Sequence, residues 1–286
     1  MNVTGFEAKR PLLASLCCSL LMAAGCRHAA KLEAPGTMAV LIDRTLSVSG
    51  KRAAIYPIYF QENVASSLSP GERLLIETIS DKSTLSDPPS RVVDTTLPDV
   101  APPPWSLSDD FQSYLKRCRK VVDPQVQDFE AAISKADAGA SEALASNHFA
   151  NFTYILDGIE DASAVLKHRN GPQKLIIFTD GIEDSEEYGE KLKFDSPDFW
   201  KTHSDRTIIS ELKERNRIPD LHGVAVYVIG AAAPSPEMYR RIAQFWESYF
   251  REAGVSSGSL HYGHNPSWEE KRFPGNLAMT VCPPNY

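Results

Sequence analysis

The stretch Ala39-Val40-Leu41-Ile42-Asp43-Arg44-Thr45-Leu46-Ser47 joins an apolar run to a carboxylate, and two hydroxyls follow at the second and fourth positions after it. Four to eight apolar residues bounded by polar ones read as a buried strand, which puts Asp43 at the strand's carboxyl end. Open α/β sheets bind their ligands at that edge. A carboxylate grouped with two hydroxyls is an oxygen-rich cluster, suited to a hard cation such as Mg²⁺ rather than to a soft metal.

Two later segments extend the pattern. Lys174-Leu175-Ile176-Ile177-Phe178-Thr179-Asp180-Gly181 is a second buried-strand run ending in a carboxylate, with a glycine suited to a tight turn behind it. Between the two runs, Thr153 stands just ahead of a helical apolar pattern in which Ile155, Ile159, Ala162 and Leu166 share one stripe. In this order, the three segments resemble the von Willebrand factor type A family and its metal-ion-dependent adhesion site. That family carries Asp-x-Ser-x-Ser, then a lone Thr opening a helix, then an Asp, often in Thr-Asp-Gly, at the end of a later strand. The resemblance spans roughly residues 38–253. It implies that Asp43, Thr45, Ser47, Thr153 and Asp180 are metal ligands, directly or through water. The metal implied is Mg²⁺, with Mn²⁺ or Ca²⁺ as substitutes, and one coordination position stays open for an acidic group of a protein partner. Thr45 departs from the family's usual Ser and keeps the hydroxyl.

Composition sets the outer bounds. The chain has 286 residues, 42% of them hydrophobic, enough to build a sizeable core. Charged residues at 23% and aromatics at 9% fit an ordinary globular protein. The net charge of -7 comes without a block of Lys and Arg, which argues against a nucleic-acid partner.

The amino-terminal residues read as a targeting segment. Lys9 and Arg10 precede a short apolar core, Pro11 to Met22, and then Ala23-Ala24-Gly25-Cys26. A basic start, a core too short to span a bilayer comfortably and small residues behind it describe a secretory signal. Small residues directly before a cysteine resemble the bacterial lipobox, which implies lipidation of Cys26, membrane attachment through it and location in the cell envelope. Arg27, in place of Asp, implies the outer membrane in a diderm. A plain secretory signal, leaving a secreted or periplasmic protein, and an uncleaved anchor are the alternatives. Behind the signal the remaining cysteines are Cys118 and Cys282; a disulfide between them and two unpaired thiols are both open at this point.

The expected organisation is a signal over 1–25, a tether over 26–37, one domain over 38–253 with a Pro-rich and helical insertion around 81–150, and an irregular segment over 254–286. The expected fold is α/β: a Rossmann-like, doubly wound, mostly parallel sheet flanked by helices. Ile55 to Leu68 reads as a helix, Arg73 to Ile79 as a strand and Arg91 to Thr96 as an edge strand. Asp109 to Ala136 reads as one helix, or two broken at Pro124. Ile182 to Asp205 reads as a long loop across the mouth of the site. Its acidic cluster Glu183, Asp184, Glu186 and Glu187 either holds a second ion or is simply solvated, and Phe199 and Trp200 either meet a partner or pack the loop down.

Enzyme signatures are missing from the sequence: no Gly-x-Ser-x-Gly elbow, no phosphate-binding Gly-x-x-x-x-Gly-Lys loop and no His-Glu-x-x-His pair occur. His203, His222, His261 and His264 are scattered. The reading is therefore a lipid-anchored, metal-dependent protein-binding module and not a catalyst. A Mg²⁺-dependent phosphoryl-transfer hydrolase and a structural envelope protein with a vestigial site are the competing classes.

Overall fold

Seven consecutive buried residues, Thr37–Asp43, form the central strand β1, which starts two residues ahead of the apolar run at Ala39. Its alternate side chains feed two different cores, because neighbouring Cβ atoms on a strand point to opposite faces. Ala39 and Leu41 enter one, while Met38, Val40 and Ile42 enter the other. A strand buried on both faces is what a continuous apolar run means in a parallel sheet.

The computed structural model describes residues 34–48, 55–79, 91–106, 108–145, 152–167, 171–187, 190–268, 277 and 281–282. The expected signal segment and Cys26 lie outside the described residues. Pro35–Tyr286 makes up one compact unit.

Among the described residues a six-stranded sheet forms from β1, β2 (Arg73–Ile79), β3 (Arg91–Thr96), β4 (Gln173–Phe178), β7 (Val224–Ile229) and β8 (Leu260–Gly263). Its order is β3-β2-β1-β4-β7-β8, and a separate hairpin pairs β5 (Asp184–Glu187) with β6 (Glu190–Lys193). Only β3 runs antiparallel to its neighbour in the large sheet. From β1 the chain builds outward through β2 on one side and through β4 on the other, so the topological switch point lies between β1 and β4. This is the doubly wound, Rossmann-like sheet expected from the sequence.

Helices cover both faces. The helix after β1 opens as α1 (Tyr56–Tyr59), passes through a π turn (Phe60–Val64) and ends in a 3-10 turn (Ala65–Ser67). It shares a core with α2 (Phe111–Ala145) and the tail residues Leu277 and Cys282. The other face holds α3 (Ile155–Leu166), α4 (Pro197–Thr202), α5 (Asp205–Glu214) and α6 (Pro236–Glu252). The caps of α4, α5 and α6 are Ser196, Ser204 and Ser235, each accepting from a backbone N–H three residues on.

Two expectations change and two open readings close. The helix over the insertion is unbroken: Pro124 lies on the exposed face of α2, where water can take the carbonyl that lacks its N–H partner. The stretch after Gly254 is not wholly irregular, since Leu260–Gly263 adds an edge strand parallel to β7. That strand is only half-buried and lacks the apolar run that marks β1 and β4. The long loop over 182–205 contains the β5–β6 hairpin and α4. Phe199 is buried against Phe194, Trp200 and His203, and Trp200 donates its indole N–H to Phe194 O at 2.9 Å, so these aromatics pack the segment down.

Cys118 in α2 and Cys282 are joined in a disulfide with Cα atoms 6.0 Å apart. Both sulfurs lie in the α1–α2 core, where the bond pins the tail to the long helix.

Candidate metal centre

Parallel pairing of β1 with β4 sets Ile42 opposite Phe178, so the next residues along, Asp43 and Thr179, leave the sheet side by side. Asp43 is 3% exposed and Asp180 0%. Asp43 is surrounded by donors: Oδ1 accepts from the Thr45 amide at 2.9 Å and from Thr45 Oγ1 at 2.7 Å, and Oδ2 accepts from Thr179 Oγ1 at 2.7 Å. Thr45 Oγ1 lies 3.0 Å from Ser47 Oγ in turn. Three of the five candidate residues thus form one chain of oxygens at the end of β1.

Asp180 begins the loop after β4. Its Oδ1 accepts from Ile182 N at 2.9 Å and its carbonyl from Ala232 N at 2.9 Å. Gly181 follows with φ of +86°, a left-handed conformation; a Cβ there would stand 2.8 Å from Tyr262 Oη, and its carbonyl takes the Trp246 indole N–H at 2.8 Å. Burial and the neighbouring charge of Asp180 both push the Asp43 carboxyl well above the usual range, against the pull of the Thr179 and Thr45 hydrogen bonds. Both carboxyls are buried, and the charge of Asp180 acts on Asp43 there.

Thr153 is 3% exposed and sits in a two-bond bridge: its N–H donates to Asp184 O at 2.8 Å, and Asp184 N donates back to Thr153 O at 3.2 Å. The bridge places it beside the loop that Asp180 opens. It does not cap the helix, which begins two residues later with Tyr154 in the cap position and no side-chain cap from that residue. The cap comes from Glu183, whose Oε2 accepts from Ile155 N at 2.8 Å and Leu156 N at 3.2 Å. Burial lifts the Glu183 carboxyl to about 8, and the charge of Asp157 adds to the rise, against hydrogen bonding from Ser185 and the two helix amides.

Sequence reading missed two of these residues. Thr179 counted only as the end of a strand, because its place opposite Asp43 depends on a register that no single strand reveals. Glu183 belonged to a run of acids that reads as solvated, yet it is wholly buried.

Whether these groups suit a hard cation can be judged from the donors. Among the described residues no cluster of three His, Cys, Asp or Glu side chains forms a ligand set by itself, so any site here depends on hydroxyls. Thr45 Oγ1 gives its proton to Asp43 and so turns lone pairs outward. Ser47 Oγ, 3.0 Å away, then donates to Thr45 Oγ1, which groups the two hydroxyls beside the carboxylate. The donor set fits.

No protein-family model and no curated protein matches the sequence. Solved structures do. The pilus adhesin SpaC from Lactobacillus rhamnosus GG, in its open conformation, is similar over 80% of this chain and 28% of its own, at 12% identity and a TM-score of 0.39. The von Willebrand factor type A protein from Catenulispora acidiphila is similar over 77% of this chain and 42% of its own, at 13% identity and 0.34. Manganese-loaded Plasmodium vivax TRAP is similar over 73% and 63%, at 16% and 0.34. The chain thus covers less than two thirds of each. Strand order, rather than these similarities, carries the assignment of the fold.

Proposed function

We propose that the protein is a metal-dependent binding module of the cell envelope, and that Asp43, Thr45, Ser47, Thr153 and Asp180 hold a divalent cation at the switch point of its sheet. The cation would be Mg²⁺, with Mn²⁺ or Ca²⁺ able to substitute, and it would supply an electrophilic position for a carboxylate of a protein partner. The chain's own residues do the rest. Thr45 and Ser47 present oxygens, Asp43 orients them by accepting the Thr45 proton, and Asp180 adds negative charge from the neighbouring strand.

The observation that carries this reading is the run of hydrogen bonds from Thr179 through Asp43 and Thr45 to Ser47, at the carboxyl ends of β1 and β4 with Asp180 beside it. A structural turn needs no second buried carboxylate at that point, and burying like charges together is costly without a cation. Lipidation of Cys26 would attach the module to the envelope membrane. Among the described residues no helix is long and apolar enough to cross a membrane.

The test is Mn²⁺ titration followed by electron paramagnetic resonance, with a pull-down from envelope extract in Mg²⁺ or chelator. Wild type should bind one ion per chain and retain its partner only in the Mg²⁺ arm. Asp43→Ala should do neither. A wild type that takes up no Mn²⁺ and no Mg²⁺ ends the proposal.

A further inference from the structure

Glu183 is not one of the five candidate ligands, yet it is a wholly buried carboxylate three residues beyond Asp180. The first amides of a helix have no partner inside it and need an acceptor from elsewhere. In α3 that acceptor arrives from a distant part of the chain: Glu183 Oε2 takes both Ile155 N and Leu156 N. The same loop grips the residue ahead of the helix through the paired bonds between Thr153 and Asp184. It is fastened at its other end too, because Glu183 O accepts from Phe194 N at 3.0 Å at the base of the hairpin.

These links run through a short piece of chain. Asp180 starts it, Glu183 holds the first turn of α3, and Asp184 holds Thr153. Asp43 and Thr179 are joined across β1 and β4 by a separate bond. The two halves of the candidate site, one on the sheet and one ahead of α3, therefore meet through the loop that Glu183 anchors. Arg217 also holds α3, through Asp157 in its first turn and Glu160 one turn on.

Building on the metal-site reading, we propose that Glu183 is a positioning residue that keeps Thr153 in place for the Asp43–Asp180 site by pinning the first turn of α3 to the loop after β4. It does not meet the ion. Its effect passes through Thr153, as outer-shell partners act through the ligands they orient.

The experiment measures Mn²⁺ affinity for wild type, E183A, E183Q, T153A, S47A, E183A/T153A and E183A/S47A, and amide exchange at Ile155 and Leu156. E183A should weaken binding about tenfold or more, the range for outer-shell partners, and should speed exchange at both amides. E183Q should bind close to wild type, since its carboxamide oxygen can still accept both N–H groups. T153A should cost nothing further once Glu183 is gone, whereas S47A should add its full cost. Should E183A not fold, E183D takes its place: it keeps a carboxyl group, draws the oxygens back from α3 and should show the same loss. Wild-type affinity in E183A or E183D, or full additivity of E183A with T153A, overturns the proposal while leaving the metal site standing. A wild type that binds no Mn²⁺ overturns both.

Discussion

The two rims of the large sheet handle buried charge in opposite ways. At the amino ends of β2 and β4, Glu72 and Lys174 are buried and face each other at 3.9 Å, and Glu72 Oε2 also accepts from Ser69 N at 2.8 Å. Anion and cation come from the same chain. At the carboxyl ends of β1 and β4, Asp43 and Asp180 are also buried; among the described residues Asp43 accepts from the neutral Thr45 and Thr179, and the charge of Asp180 raises its carboxyl. Removing a charge from water costs several kcal/mol unless it is matched. A rim that carries its own countercharge is finished when the chain folds. On the metal-site reading proposed above, a rim that gathers two carboxyl groups takes its countercharge from outside.

The largest effect is expected at the finished rim. Lys174→Met keeps the apolar stem and deletes the ammonium, leaving Glu72 buried without that matching charge. The cost should be about 3–5 kcal/mol, the range for breaking a buried pair from one side, read as a lower denaturant midpoint with an unchanged slope. A loss under about 1 kcal/mol, as for exposed pairs, would break the comparison, because the amino-terminal rim would then not depend on its internal cation.

The second effect tests the carboxyl-terminal rim through pH. Glu183 rises from an ordinary 4.5 to about 8 on folding. A raised carboxyl binds its proton more tightly in the folded state, so the stability this contributes is fully present below about 4.5 and is lost as pH rises through about 8. Glu183→Gln has no proton to lose there. The stability of wild type minus that of E183Q should therefore fall across this window by a few kcal/mol, because holding a proton against a tenfold drop in its concentration is worth about 1.4 kcal/mol. Parallel pH profiles for the two proteins would show that burial does not hold the proton on Glu183.

Much of this arrangement was legible in the residues alone. Ala39 to Ile42 and Leu175 to Phe178 are apolar enough to require burial on both faces, and that forced parallel strands with Asp43 and Asp180 at their ends. Other features depended on neighbours that the sequence does not display. Thr179 meets Asp43 only because β1 and β4 pair in one register. Glu183 looks solvated in a run of acids, and becomes a helix cap only when the loop folds back 28 positions to Ile155. Strand β8 is half-buried and too polar to announce itself, and Pro124 signals a break that its outward position on α2 makes unnecessary.

The smallest change in stability, and the one with opposite sign, belongs to Asp180→Asn. The amide oxygen can still accept from Ile182 N, so the turn after β4 keeps its bond. What disappears is the negative charge that raises Asp43. In chelator the variant should match wild type or exceed it by up to about 1 kcal/mol, since a like charge has been removed from a buried site. Adding Mg²⁺ reverses the ranking. Wild type should gain about 2.7 kcal/mol at a hundredfold excess over its dissociation constant, and Asp180→Asn should gain nothing. Thermal denaturation of both proteins in each condition decides it. If Asp180→Asn loses several kcal/mol in chelator, Asp180 is a structural carboxylate like Glu72, and the two rims no longer differ in kind.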